Sequence, residues 1–422
     1  MNLADLRVDG RRLWQRLEDL GEVGAVHGPD GERGCARLAL TDPDREGRDL
    51  VVSWMRDLGM SIEIDVVGNI IATWQGSDPS LAPVMMGSHI DTVRTGGRFD
   101  GNLGVLAGLE VVETLQIAGV HPPRGLQVGV FTNEEGARFA PDMLGSLVYV
   151  GGMPLEEALA VRAADDGAIL GEELVRIGYA GSTPCPTVSA PHAFFELHIE
   201  QGPVLEEAGI SIGVVTGVQG ISWTEVTIVG QSAHAGTTPM RLRHDPGVVA
   251  AAIIGGVRAI AAEFGGSQVA TVGRCEFVPN LVNVVPAKVV MTVDLRNTDE
   301  SLLREAERRF VALCDDLSAG EGVTISRRPL ARFEPVEFDQ AAIDLVERTA
   351  TTLGRSTMRL PSGAGHDAQM LARVCPTAMI FVPSERGLSH NIAEYTDPAE
   401  ITAGADVLLQ VVLQAAHDVA DR

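Results

Sequence analysis

The chain has 422 residues, 45% hydrophobic and 21% charged, an ordinary globular balance in a length that favours two domains over one core. Its net charge of −24 argues against sequence-independent binding to nucleic acid or to anionic membrane surfaces, both of which need basic patches. No apolar run reads as a membrane span, MNLADLRVDGRRLW lacks a signal-peptide core, and five scattered cysteines follow neither zinc spacing nor a disulfide scaffold. A cytoplasmic protein with reduced cysteines, acting on a small substrate, is the expectation.

In chain order, residues 42 to 58 carry Leu50, Val51, Trp54 and Met55 at helical spacing. Strand-like runs Ile62 to Val66 and Ile70 to Trp74 flank a turn at Gly68 and Asn69. Val84, Met85 and Met86 then read as a buried strand, and Leu103, Leu106, Leu109 and Leu115 as a helix face. Between them lies GSHIDTVRTGGRFDGNLG, a loop at a strand's C-terminal end, where open α/β sheets keep their chemistry. Within it His89 and Asp100 would serve as half of a metal site, with Asp91 orienting the other ring nitrogen of His89. A polar turn with an exposed histidine and two Asp caps is the other reading of this stretch.

The apolar run Leu126 to Phe131 ends in Thr132, Asn133, Glu134 and Glu135. Adjacent carboxylates repel, and a dication relieves that repulsion, with one Glu as ligand and the other poised to take a proton from water. An acidic helix start is the alternative. Phe194 to Ile199 forms a further strand, carrying His198 before Glu200, Gln201 and Gly202. From about Gly217 the pattern becomes self-contained. Strand 221–229, helix 245–264, strands 269–277 and 289–296, helix 300–317 and a strand near Thr324 give the order β, α, β, β, α, β of a split βαβ sandwich of ferredoxin-like type. The first pattern then returns, with PSGAGHDAQ, a strand from Ala378 to Val382, PSERGLSHN and a closing helix from about Pro398.

Widely separated strand ends thus each carry His, Asp or Glu, namely His89 with Asp91 and Asp100, Glu134 with Glu135, His198, His366 with Asp367, and His390. With GSHIDTVRTGGRFDGNLGVLAGLE, FTNEEGARF, ELHIEQGPVLE, GQSAHAGTTPM, NVVP, DLRNTD, PSGAGHDAQ and FVPSERGLSHN, the chain resembles the M20-type dinuclear metallohydrolases, and within them the hydantoinase/carbamoylase group. ELHIEQGP and GAGHDA are the specific elements, and the resemblance runs from about residue 30 to residue 400.

The resemblance implies an α/β fold with a metallopeptidase-like mixed-sheet catalytic domain, helices on both faces, in two parts over residues 1–217 and 334–422. An inserted α+β ferredoxin-like dimerisation (lid) domain would occupy 218–333. It further implies two divalent ions per chain (zinc, manganese, cobalt or nickel), one on His89, Asp100 and His198 and the other on Asp100, Glu135 and His390. Glu134 would act as general base and acid, Asp91 as the partner of His89, and His234 would reach the partner subunit's site in a homodimer. Gln201, Asn283, Arg296, Gly363, Ala364 and His366 would meet a small carboxylate-bearing ureido substrate, with Arg296 forking onto the carboxylate. An ion pair of Arg296 with Asp294 or Asp299 is the alternative for that residue. The expected reaction is hydrolysis of the ureido bond of an N-carbamoyl-L-amino acid to amino acid, carbon dioxide and ammonia. Allantoate, then N-carbamoyl-β-alanine or an acylated amino acid, are the alternative substrates, and a silent dimeric binding protein is the alternative of a different class.

Overall fold

The structure is a computed structural model that describes residues 3–163, 165–187 and 189–419. Its main strands, in chain order, are β1 (Ser61–Ile64), β2 (Ile70–Trp74), β3 (Val84–His89), β4 (Leu126–Phe131), β5 (Ala193–Ile199), β6 (Ile212–Val218), β7 (Gly220–Val229), β8 (Val269–Val278), β9 (Lys288–Asn297), β10 (Thr324–Phe333), β11 (Thr357–Ser362) and β12 (Thr377–Val382). The main helices are α1 (Gly10–Gly21), α2 (Asp42–Asp57), α3 (Asn102–Ala118), α4 (Pro246–Phe264), α5 (Glu300–Glu321), α6 (Gln340–Thr352) and α7 (Pro398–His417).

The chain divides into two units, Met1–Gly217 with Glu337–Arg422, and Val218–Val336. The second boundary thus lies three residues beyond the expected 333. The discontinuous unit is built on one mixed sheet in the order β6-β12-β5-β3-β4-β2-β1, with β11 on β6. β12, β5, β3 and β4 run parallel, while β2 joins β4, and β6 joins β12, antiparallel. Every residue of β3, β5 and β12 is buried, the composition that a parallel strand covered on both faces requires.

Helices α1, α3 and α7 pack on one another and α6 packs on α7. Gly108 of α3 lies against Met86 and Val128, and Gly404 of α7 against Leu197 and Val382, which places both helices on one face. Phe131 points to the other face, where Tyr149 of the short helix Leu144–Tyr149 meets it edge-on at 5.6 Å. Helices therefore cover both faces. The N-termini of α7 and α2 each carry a proline in the first turn behind a capping side chain, Asp397 for α7 and Thr41 for α2.

The continuous unit has the strand order β8-β9-β7-β10, antiparallel throughout, and α4 and α5 cover one of its faces. Val226, Ile228, Met291, Val293, Ile253, Val257, Phe310 and Cys314 meet in its core. The βαββαβ order expected from the sequence is the order observed.

One expectation is corrected. Two helices, α4 and α7, are long and apolar enough to cross a bilayer by length and composition. For α7 the apolar residues belong to the core of the first unit, since 78% of its most apolar window is buried. For α4 only 28% is buried, and one stripe, with Val249, Ile253 and Val257, faces the sheet.

Candidate metal centre

Three imidazoles converge on one carboxylate. His89 ends β3, His198 lies near the end of β5, and Asp100 sits in the loop that leads into α3. Asp100 Oδ1 lies 3.2 Å from His198 Nε2 and 3.6 Å from His89 Nε2, and its Oδ2 lies 3.6 Å from His390 Nε2. His390 Nε2 is in turn 3.2 Å from Glu135 Oε2. Ligand atoms of His89, Asp100 and His198 fall within 4.8 Å of one another, and so do those of Asp100, Glu135 and His390. Asp100 is the shared member, one oxygen turned to each group.

The rings are set by the backbone. His89 Nδ1 lies 2.9 Å from the Asp91 carbonyl and His198 Nδ1 2.9 Å from the Ile199 carbonyl. A carbonyl can only accept, so each ring carries a proton on Nδ1 and turns Nε2 towards Asp100, where His198 Nε2 also accepts from the Gly101 N–H at 3.1 Å. The strand ends fix these positions because β3 and β5 are neighbours in the parallel sheet. Gly101, at φ 66°, has no substitute, since a Cβ there would run into the His89 ring.

Asp91 departs from its expected contact. It reaches His89 through its backbone carbonyl, not its carboxylate. The carboxylate accepts instead from the backbone N–H groups of Glu134 at 3.2 Å and Glu135 at 3.4 Å. The turn after β4, with Asn133 at φ 57°, aims both amides at Asp91. Asp91 thereby ties the first polar loop to the second.

Glu134 belongs to neither ligand group, and its Oε2 lies 3.3 Å from His89 Nε2. Burial, then the like charges of Asp367, Glu135, Asp100 and Asp91, push its carboxyl well above the ordinary carboxylate range. Burial also pushes Asp91 to about 6 and Asp367 to about 8. At Asp100 burial works the same way, but His198, His89 and His390 outweigh it and hold the group below its usual range. So many carboxylates in a buried site, facing imidazoles whose Nε2 atoms converge on Asp100, form a donor set that fits divalent metal binding.

The other expected residues divide by unit. Gln201, at φ 59°, donates through Nε2 to Asp100 Oδ2 at 2.8 Å, while its Oε1 is buried without a hydrogen-bond partner among the described residues. Gly363 and Ala364 lie in the loop after β11, with Ala364 N donating to Ser362 Oγ at 3.1 Å. His366 is 1% exposed, with Nε2 2.9 Å from Ser362 Oγ and its ring edge-on to His198 at 4.5 Å. That placement makes it a wall behind His198, and burial followed by the charge of His198 holds its pKa well below the usual histidine range.

In the continuous unit, His234 pairs with Val284 across a short antiparallel ladder, and the next residue, Ala235, donates its N–H to the Asn283 carbonyl at 3.0 Å. His234 and Asn283 therefore share one exposed corner of that unit. His234 Nδ1 accepts from the N–H groups of Gly236 and Thr237, which leaves Nε2 as the N–H donor. Arg296 on β9 forks onto Asp294, with Nη2 2.9 Å from Oδ2, and sits over the Trp223 ring.

Sequence reasoning passed over Glu196, Ser389 and Glu394. Glu196 is fully buried and accepts from Ser88 Oγ at 2.6 Å and from Ala368 N at 3.0 Å, linking β3, β5 and the GHDA segment. An acid within the apolar strand FFELHI was the available signal. Ser389 and Glu394 gave none beyond their nearness to His390.

Residues 85–414 match the family described as Peptidase family M20/M25/M40. Over 413 residues the chain is 44% identical to the N-carbamoyl-L-amino-acid amidohydrolase of Rhizobium meliloti, covering 98% of each chain. It is 33% identical to a ureidoglycolate hydrolase of Arabidopsis thaliana, over 97% of its own length and 87% of that relative's. A crystal structure of an amidase of the hydantoinase/carbamoylase family from Burkholderia multivorans aligns with a TM-score of 0.90 at 43% identity, covering 98% of this chain and 100% of that one.

Proposed function

Since the chain belongs to peptidase family M20/M25/M40, we propose that it hydrolyses the ureido C–N bond of an N-carbamoyl-L-amino acid, releasing the amino acid, carbon dioxide and ammonia. The observation that carries this reading is the shared carboxylate, Asp100, set between two groups of ligand atoms with Glu134 beside them and outside both.

His89 and His198 with Asp100, and Glu135 and His390 with Asp100, are the residues that would hold the two divalent ions. When bound, such ions supply Lewis acidity that makes water a better nucleophile and polarises a carbonyl. The protein's own part follows from its geometry. Glu134 takes a proton from water as it attacks the carbonyl carbon and returns it to the leaving nitrogen. Its pKa, raised by burial and the neighbouring carboxylates, helps it hold the proton taken from water until the leaving nitrogen receives it.

Asp91 holds the amides of Glu134 and Glu135 and so fixes the base relative to the ligand beside it. On the continuous unit, Arg296 would bind a substrate carboxylate by exchanging it for Asp294, with Asn283 as a further contact; on the discontinuous unit, Gln201, Gly363 and Ala364 are the proposed substrate contacts. His366 acts by holding the His198 ring. His234 carries its N–H to the developing oxyanion in the partner subunit's site, in a homodimer formed through the continuous unit. The free cysteines support a cytoplasmic setting.

The 33% identity to a ureidoglycolate hydrolase favours ureidoglycolate as the second substrate to examine, since it too is a small ureido carboxylate. The test follows ammonia release from N-carbamoyl-L-amino acids, ureidoglycolate, allantoate and N-carbamoyl-β-alanine in parallel. Release fastest from the carbamoyl amino acids supports the proposal. Preference for another of the four moves the substrate, and release from none refutes the reading.

A further inference from the structure

The three imidazoles of the site are not held alike. His89 and His198 stand on strands of the central sheet with their Nδ1 atoms tied to carbonyls of their own chain segments. His390 stands on an irregular turn, its side chain 54% exposed and its backbone at φ 53°, a left-handed conformation that a non-glycine residue holds only when its surroundings fix it. Something must hold that turn at the distance from Asp100 that a shared cation needs.

The contacts that do so converge on Glu394, which is 3% exposed. Its Oε1 accepts from the backbone N–H groups of Phe99 and Asp100, each at 3.2 Å. Its Oε2 accepts from Ser389 Oγ at 3.0 Å, and Ser389 Oγ also lies 3.1 Å from Asp100 Oδ2. Its own backbone N–H closes the turn on the Asn391 carbonyl at 2.9 Å. One carboxylate thus grips the peptide at Asp100 with one oxygen and the residue preceding His390 with the other. Space for it is made by Gly97, where a Cβ would run into the Glu394 carboxylate.

We propose that Glu394 is a positioning residue for the second cation subsite. It sets His390 relative to Asp100, whereas His89 and His198, the two ligands peculiar to the other subsite, are held by strands of the sheet. The inference rests on the two-ion reading given above and goes beyond it by assigning the two subsites different supports. Mutating outer-shell partners of metal ligands typically lowers metal affinity about 10- to 100-fold, and here that loss should fall on one ion of the two.

The experiment titrates Co(II) into stripped full-length protein, resolves two dissociation constants by competition with a chromophoric chelator, and records the cobalt absorption spectrum. It compares wild type with Glu394→Ala, Glu394→Gln and Ser389→Ala. Glu394→Ala should weaken the second constant about 10- to 100-fold and leave the first within about 3-fold. Glu394→Gln should restore most of the loss, because an amide oxygen can accept both backbone N–H groups while the NH2 donates to Ser389 Oγ. Ser389→Ala, at a partly exposed position where folding is not at risk, should weaken the second constant about 3- to 10-fold.

Equal weakening of both constants, wild-type constants in Glu394→Ala and Ser389→Ala, or no rescue by Gln would overturn the proposal. Should wild type bind fewer than two cobalt ions, the two-ion reading fails first and takes the proposal with it. The two failures are told apart by the wild-type titration alone.

Discussion

Glu134→Gln replaces the proposed base with a side chain of nearly the same volume that cannot take a proton. The position is 7% exposed, so a cavity would be costly there, but Gln leaves none. The backbone N–H of residue 134 still donates to Asp91 Oδ1, and the side chain belongs to neither ligand group. Metal content and fold should therefore persist while proton transfer is lost. General acid–base catalysis contributes about 10²- to 10⁴-fold, or about 2.7–5.4 kcal/mol of barrier at about 1.36 kcal/mol per decade. The expected result is a fall in kcat of that size with KM and metal stoichiometry near wild type, read from initial rates of ammonia release beside elemental analysis of the same sample. A variant retaining activity within a few-fold, or one losing metal in proportion to activity, would refute the assignment.

Asp91→Asn should keep the carbonyl contact to His89 but lose one acceptor for the amides of Glu134 and Glu135, lowering kcat roughly tenfold, on the order of one hydrogen bond to a charged group, with first-subsite metal affinity retained. Arg48→Met should destabilise metal-stripped protein by about 3–5 kcal/mol in denaturant unfolding. The reason is that Arg48 and Asp44 form a pair with both side chains fully buried, and the change strands the carboxylate. Gly101→Ala should abolish binding at the His89 subsite, as measured by metal titration, because a Cβ at φ 66° meets the His89 ring.

The readable parts of this molecule are those where one periodicity has one physical meaning. Strands β3, β4 and β5 announce themselves as apolar runs because parallel strands covered on both faces must be apolar, and the residues just past their ends are then the candidate site. The βαββαβ unit was legible for the same reason, most clearly at β9, where burial alternates at every residue. Side-chain partners were less legible. Nothing in the spacing of His89 and Asp91 says whether the ring meets the carboxylate or the carbonyl, and that choice is made by a turn at Asn133, far along the chain. Glu394 was invisible because its partners, the amides of Phe99 and Asp100, lie nearly three hundred residues away and are backbone groups that every residue carries. The apolar character of α4 and α7 shows the converse case, one hydropathy pattern serving two different burial environments.

The central claim is that catalysis needs two ions sharing Asp100. Its most direct test is to strip the protein with chelator and restore manganese or cobalt in steps, measuring ions bound per chain and ammonia release from an N-carbamoyl-L-amino acid in the same samples. The account predicts that activity is absent from the stripped protein and rises with filling of the second of two sites. Full activity with one ion bound, or activity that survives complete stripping, would contradict it.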